Sequence, residues 1–345
     1  MGRHTLKCDF HETTENRLLT TVPMDSEETL IERVRQRFPA SRAVQVGIGD
    51  DAAVLATGGK TDWVITTDQF LENVHFLRKL YPPRVVGYKA LARATSDIAA
   101  MGARPRCFFL TLGLPPACTG KWFGDFLDGM KNAARRFGLA LAGGDTTKYP
   151  EVVISITVLG EVERGRAVLR SGARSGDYLC VSGTLGEAEL GWRLVQKRWH
   201  ARKRWAKLLG KHFHPDPQLA LGQRLAAGRF ATAMIDTSDG LSTDLGHLCQ
   251  ASEVGAIVWA QKIPVVNVPR ELRSAGLDPL KLALHGGEDY ELLFTVPRKL
   301  VSRLPRKAGV SISIIGEMTR EKEIVLVDAA GRRTPLKPMG WDSFR

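Results

Sequence analysis

The first 23 residues are polar and without period, and patterning starts at Met24. In MDSEETLIERVRQRF, Ser26 stands before an acidic first turn, which predicts a helix start. Short apolar runs at 43–46, 52–56 and 63–67 predict strands. The stretch RVVGYKALARATSDIAAMG (84–102) has helical spacing and many small residues, so it should pack closely against a neighbour. CFFLTLGL (107–114) reads as a buried strand, and WFGDFLDGMKNAARRFG (122–138) as an amphipathic helix ending at Gly138. LALAGGD and EVVISITVLGEV (151–162) are further strand material.

A second series follows. Strands are predicted at 177–183, 231–236, 255–260, 291–297, 310–318 and 323–328. Helices are predicted over most of 186–209, at 218–228 and from 239, with HPDP (214–217) as a breaker. Strands and helices mix in both halves, which predicts an α/β (α+β mixed) protein of two domains, 24–165 and 166–345. Residues 1–23 read as a flexible extension or as the product of a mis-assigned start codon.

At 345 residues the chain is long enough for two cores, and 43% hydrophobic with 25% charged residues excludes wholesale disorder. No apolar run approaches the roughly 18–20 residues of a membrane span, and the N-terminus lacks the apolar core of a secretory signal. Cys8, Cys107, Cys118, Cys180 and Cys249 are scattered and odd in number, without a CxxC pair. That pattern fits a reduced cytoplasmic protein with neither a disulfide framework nor a zinc site.

The net charge of +12 changes meaning once it is located. Eight Lys and Arg and no acid fall in the basic helical segment 192–215, interleaved with Trp192, Trp199, Trp205 and Phe213. Such a stretch could bind nucleic acid, an acidic membrane surface or an acidic partner. The alternative is a solvated helix whose aromatics pack on the body.

Two phosphate motifs nearly occur. GIGDDA (47–52) fits a dinucleotide loop, but Asp50 and Asp51 would place two negative charges where bare N–H groups should face a pyrophosphate. GGKT (58–61) resembles the end of a Walker loop, but Val54 stands where its first Gly belongs. No GxSxG elbow, HExxH or Cys–His pair announces a nucleophile.

The stronger signal is a set of aspartates: Asp50, Asp51, Asp68, Asp97, Asp145, Asp236 and Asp239. All are flanked by Gly, Ser, Thr or small apolar residues, and several follow apolar runs, where strands end and loops begin. Taken singly, each is a cap or turn residue; Ser238 or Asp239 would cap the next helix well. Taken together, convergent loops would gather negative charge without local cations, which favours a metal. Oxygen ligands alone favour Mg²⁺, which is commonly shared with substrate phosphates. RSGARSGD (170–177) offers Arg170 and Arg174 for phosphate oxygens. HGGEDYE (285–291) sets Glu288 and Asp289 after a Gly pair, and His75 follows the Asp68 segment closely.

In order along the chain, GIGDDAAVL, TTDQFLENVHF, YKALARATSDIAAMGARP, GGDTT, RSGARSGD, IDTSDGLSTDLGHL, GGEDYELLFTV and GWDSF resemble the thiamine-monophosphate kinase family, over roughly 25–345. This family lies within the wider group built like aminoimidazole-ribonucleotide synthetase. The resemblance implies a dimerising N-terminal domain, a C-terminal α/β domain and a homodimer. It implies ATP-dependent phosphorylation of thiamine monophosphate to thiamine diphosphate, with several Mg²⁺ ions. Asp51, Thr66, Thr67, Asp68, Asp97, Asp145, Asp236 and Asp239 would be metal ligands, directly or through water. Gly144, Asp145, Arg170 and Ser238 would contact ATP, with Arg170 as charge stabiliser. His75, Glu288 and Trp341 would contact the thiamine substrate, and Asp50 keeps an open role. Residues 1–23 and 192–215 depart from the family pattern.

Other enzymes of the wider group fit less well. Selenophosphate synthetase would want a reactive Cys in a glycine-rich context, which Cys8 lacks, and the hydrogenase-maturation relative would want a C-terminal Cys, whereas this chain ends GWDSFR. The purine synthetase lacks the GGEDYE and GWDSF pairing. An RNA- or membrane-binding protein on an inactive scaffold is the alternative from a different class, motivated by 192–215.

Overall fold

The structure is a computed structural model and describes residues 26–38, 43–199, 203–305 and 309–342. The N-terminal extension, Cys8 and Met24 lie outside the described residues. After α1 (Glu27–Arg37), the chain builds β1 (Val44–Val46), β2 (Ala53–Ala56), β3 (Thr61–Leu71), α2 (Pro83–Ala100), β4 (Arg104–Leu114), α3 (Lys121–Phe137), β5 (Ala140–Lys148) and β6 (Val153–Glu163). Their six strands form one sheet, ordered β1-β2-β3-β6-β4-β5. Then come β7 (Tyr178–Ser182), α4 (Glu187–Gln196), α5 (Gly210–Phe213), α6 (Leu219–Ala227), β8 (Ala233–Asp236), α7 (Leu241–Ser252), β9 (Gly255–Trp259), α8 (Arg270–Ser274), α9 (Pro279–His285), β10 (Leu292–Val296), β11 (Ile312–Thr319), β12 (Ile324–Val327) and β13 (Arg333–Pro335). Their strands form a second sheet, ordered β13-β12-β9-β11-β7-β10-β8. Among the described residues no helix is long and apolar enough to cross a membrane.

The helix α2 organises the molecule. Fourteen of its 18 residues are buried, because it packs against the first sheet and α3 and also against α6 and β8 of the second half. A helix buried nearly all round needs small residues where a neighbour comes closest, and against α3 the fit is backbone to backbone. A Cβ added to Gly87 would fall 2.0 Å from the Phe126 carbonyl oxygen, and one on Gly129 1.9 Å from that of Arg84. The close packing expected for 84–102 is therefore present against α3. Ala99 and Ala100 join Leu221, Leu225, Met234 and Phe294 in a cluster that ties α2 to the second sheet.

Alternation sets the first sheet's two faces. In β6, Ile154, Ile156 and Val158 are buried, while Ser155, Thr157 and Leu159 alternate to the half-buried side. On that outer side Trp63 and Phe109 are exposed, and every residue of the edge strand β5 is exposed.

Some elements depart from the sequence expectations. The strand expected at 63–67 runs over Thr61–Leu71, so Asp68 sits within a strand rather than at its end. TTDQF continues the alternation and pairs with β6 along its whole length, which outweighs its polar composition. Asp145 likewise lies inside β5. The expected helix over 186–209 breaks: α4 stops at Gln196, Arg198 has φ 54°, and Lys203–Leu209 is a 3₁₀ segment. The break lets the segment's apolar side fold inward. Trp205 and Leu209 are buried with Leu190 and Leu194 in the large core, and Trp192 and Phe213 pack against it. Lys197, Lys203, Arg204 and Lys207 remain exposed. The basic stretch is thus partly core, which agrees with aromatics packing on the body.

Candidate active site

Asp51, Asp97 and Asp236 come from the turn before β2, the last turns of α2 and the end of β8. Each offers one carboxylate oxygen, and these lie within 4.8 Å of one another. Local donors hold them in place. Thr66 Oγ1 on β3 donates to Asp97 at 2.5 Å, and Ser96 Oγ donates to Asp236. Arg170 grips Asp51 Oδ1 through Nε at 3.0 Å and a terminal nitrogen at 2.6 Å. Asp51 Oδ2 is buried without a hydrogen-bond partner. Asp50 plays a bracing part: its carboxylate accepts the backbone N–H groups of Asp51 and Arg170.

The electrostatics follow from burial. Desolvation raises the Asp97 carboxyl well above its ordinary value, helped by Asp236 and Asp51. Desolvation and then Asp51 push Asp236 up to about 7. Asp239 is pushed up to about 6 by burial and then by Glu27. Close, desolvated carboxylates with an unpartnered oxygen are out of balance without a cation. Carboxylate and hydroxyl oxygens without nitrogen or sulfur suit a hard divalent ion such as Mg²⁺, so the residues present fit the metal.

The aspartates of IDTSDG do not act as helix caps. The N-cap of α7 is Gly240, with no side-chain cap, and Asp244 accepts the Gly240 N–H at 2.9 Å. The Asp239 side chain is left to face a cavity of about 370 Å³ beside the carboxylate cluster. His75, Arg93, Ser238, Asp239, Glu288 and Trp341 all line it. Backbone bonds fold the C-terminal loops together there: the Glu288 N–H donates to Ser238 O at 2.8 Å, and the Trp341 N–H to Asp239 O at 3.0 Å. Glu288 and Tyr290 adopt φ 67° and 50°, a conformation that costs energy for non-glycine residues and concentrates at functional sites.

Glu288 sits in a network that sequence reasoning missed. Buried Lys89 approaches one of its oxygens at 2.6 Å, Arg93 the other at 3.6 Å, and His212 Nδ1 lies 3.4 Å away. The Tyr81 hydroxyl meets His212 Nε2 at 2.6 Å. Burial alone would raise the Glu288 carboxyl, but Lys89, His212 and Arg93 hold it well below the usual range. Burial, then Lys89, pushes His212 down to about 4. Arg93 also pairs with Asp68 at 3.1 Å. Lys89, Arg93, Ser96 and Asp97 recur at i, i+4, i+7 and i+8, one face of a helix. That polar stripe in an otherwise small-residue helix was the available signal. His212 had none, because it stands in a stretch dominated by Lys and Arg.

Other expected residues lie apart. Thr67 and Thr157 share a contact on the outer side of β3 and β6, 3.2 Å between hydroxyls. Gly144 and Asp145 lie on β5, paired with Leu110 and Thr111 of β4. Register runs from Gln69 through Ser155 and Thr111 to Asp145. Three strand spacings put Asp145 about 14 Å from the β3 row, outside the cluster of its own chain. Arg174 is exposed. Asp289 accepts the N–H groups of Gly186 and Ala188 at the start of α4 and is structural.

Comparison with known proteins places this geometry. Residues 49–162 match the family model for the AIR synthase related protein N-terminal domain, and residues 174–329 that for its C-terminal domain. A thiamine-monophosphate kinase of Escherichia coli (strain K12) is 37% identical over 327 residues, covering 92% of this chain and 98% of that one. The solved structure of AaThiL complexed with AMPPCP and TMP superposes with a TM-score of 0.80 at 31% identity, over 92% of this chain and 96% of that one. The thiamine-monophosphate kinase from Stenotrophomonas maltophilia K279a superposes with a TM-score of 0.73 at 37% identity, over 88% and 96%. With both domain models matched and such identity over nearly the whole length, the chain belongs to the thiamine-monophosphate kinase family.

Proposed function

We propose that this chain transfers the γ-phosphoryl group of ATP to thiamine monophosphate, giving thiamine diphosphate and ADP. One observation carries the reading: a buried carboxylate cluster without enough cations adjoins a cavity lined by His75, Glu288 and Trp341, with Ser238 and Asp239 at the join. Asp51, Asp97 and Asp236 would hold Mg²⁺, with Thr66, Asp68 and Asp239 at its margin. Magnesium held there would offset the repulsion between the two anionic reactants and the charge that spreads in a loose phosphoryl-transfer transition state.

The chain's own residues do the rest. Arg170 brings a fixed positive charge to the ATP side. The acceptor oxygen belongs to a phosphate already ionised near neutral pH, so no side chain needs to act as general base. His75 Nδ1 accepts the Leu71 N–H at 3.0 Å, which leaves Nε2–H as a donor. Burial, then Arg93, pushes its pKa down to about 4, so the ring is neutral at working pH. Glu288, held ionised by Lys89 and Arg93, offers an acceptor to the substrate. Transfer is direct and in line, without a phosphoenzyme.

Two copies would pair through the outer side of the first sheet, where Trp63 and Phe109 are exposed beside the uncovered strand β5. Pairing would also give Gly144 and Asp145, distant from the cluster of their own chain, a site to serve in the second copy. The free thiols of Cys107, Cys118, Cys180 and Cys249 suit a reducing cytoplasm.

The test is purified full-length protein with ATP, Mg²⁺ and thiamine monophosphate. Equal amounts of ADP and thiamine diphosphate are expected, abolished by chelator. ATP hydrolysis without thiamine diphosphate, or a phosphorylated protein that passes its group to the substrate, would contradict the reading. Salt-sensitive RNA binding without turnover would favour the inactive-scaffold alternative.

A further inference from the structure

The carboxylate of Glu288 cannot supply net charge to a cationic ligand, because the cavity has already matched it. Lys89 and Arg93 face Glu288 and Asp68, two cations against two anions. Asp239 belongs to the metal end. One lining carboxylate is left, that of Glu189 on α4, and its partner Arg193 lines the same cavity.

Its setting is built. Gly286 leaves the Glu189 stem room: a Cβ on that glycine would fall 2.4 Å from Glu189 Cβ. The side chain is only 16% exposed. Glu189 Oε1 accepts from Arg193 Nε at 2.6 Å, and Oε2 takes no hydrogen bond from the described residues. Arg193 is 47% exposed and one helical turn away, so its guanidinium can turn to solvent and leave the carboxylate to a ligand cation. Burial and then proximity to Glu288 raise the Glu189 carboxyl, while Arg193 lowers it. Trp192, three residues on, lines the same cavity as Trp341. Indole faces attract delocalised cations.

We propose that Glu189 and Trp192 of α4, with Trp341, form the subsite that selects the permanently charged thiazolium ring of the substrate. Glu189 is a specificity residue, and the inference rests on the substrate reading above. It assigns α4 a recognition role separate from the metal cluster and from Glu288.

The test is equilibrium binding by full-length protein, with Mg²⁺ and without ATP, of two ligands: thiamine monophosphate and its neutral thiophene isostere. The wild-type protein is expected to prefer the cationic ligand by about fivefold or more. Glu189→Gln should erase most of that preference by weakening the cationic ligand alone, and Arg193→Gln should increase it by freeing the carboxylate. An unchanged ratio in both variants overturns the subsite while leaving the kinase reading intact. Failure of the wild-type protein to bind either ligand overturns the substrate reading and the subsite with it.

Discussion

Asp97→Asn and Asp236→Asn are each expected to lower kcat for thiamine diphosphate formation by about a thousandfold, the scale of losing one charge-stabilising element in phosphoryl transfer. The substitution keeps shape and hydrogen bonding. The amide oxygen introduced at position 97 would still accept from Thr66, and the one at position 236 from Ser96, as the carboxylates now do. What changes is one negative charge among three that lie within 4.8 Å. Removing it weakens the hold on a divalent cation at the point where two anionic reactants must meet. Asp68→Asn should also be impaired, by loss of its margin role and by release of Arg93 toward Glu288. Steady-state rates at saturating ATP and Mg²⁺ are the check, and rates within about tenfold of wild type in both cluster variants would remove the assignment.

The same Asp97→Asn change should stabilise the metal-free protein. The carboxyls of Asp97, Asp236 and Asp239 are all raised above their ordinary 3.8, Asp236 to about 7 and Asp239 to about 6, with burial as the first cause. Between pH 3.8 and about 7 the folded state therefore binds more protons than the unfolded state. Stability from these groups is present at low pH and is lost as pH rises through their folded values. Near pH 7.5 in chelator, Asp97→Asn should raise Tm by about 3 °C. Mg²⁺ should raise the Tm of the wild-type protein and have much less effect on the variant. His75 and His212, both pushed down to about 4 with burial as the first cause, give the opposite slope between about pH 4 and 6.5. They are common to both proteins and cancel in the comparison. A lower Tm for Asp97→Asn in chelator would mean that the cluster is not strained by its own charge.

The aspartates were legible in the sequence because acidic residues among Gly, Ser and Thr stand out, and order along the chain ties them to one family. Their convergence was not. Asp51 and Asp236 are 185 positions apart and meet only because α2 lies between the two halves and carries Asp97. Local pattern placed α2, α3 and β6 well, since periodicity reports a buried face. It failed where pairing or tertiary contact decided the outcome. β3 extends through the polar TTDQF because β6 pairs with it throughout. The basic stretch breaks after Gln196 because Trp205, Leu209 and His212 reach inward, which charge composition concealed. Lys89 reads as a surface residue by its type, whereas here it is fully buried against Glu288.

Manganese binding is the most direct test of the claim that these side chains form one metal centre joining both reactants. Bound Mn²⁺ would be counted by electron paramagnetic resonance on the full chain with a non-hydrolysable ATP analogue and thiamine monophosphate. The wild-type protein should hold more than one tight Mn²⁺ per chain, and Asp51→Asn combined with Asp236→Asn should lose tight binding while keeping the fold. Equal stoichiometry and affinity in both proteins would contradict the account.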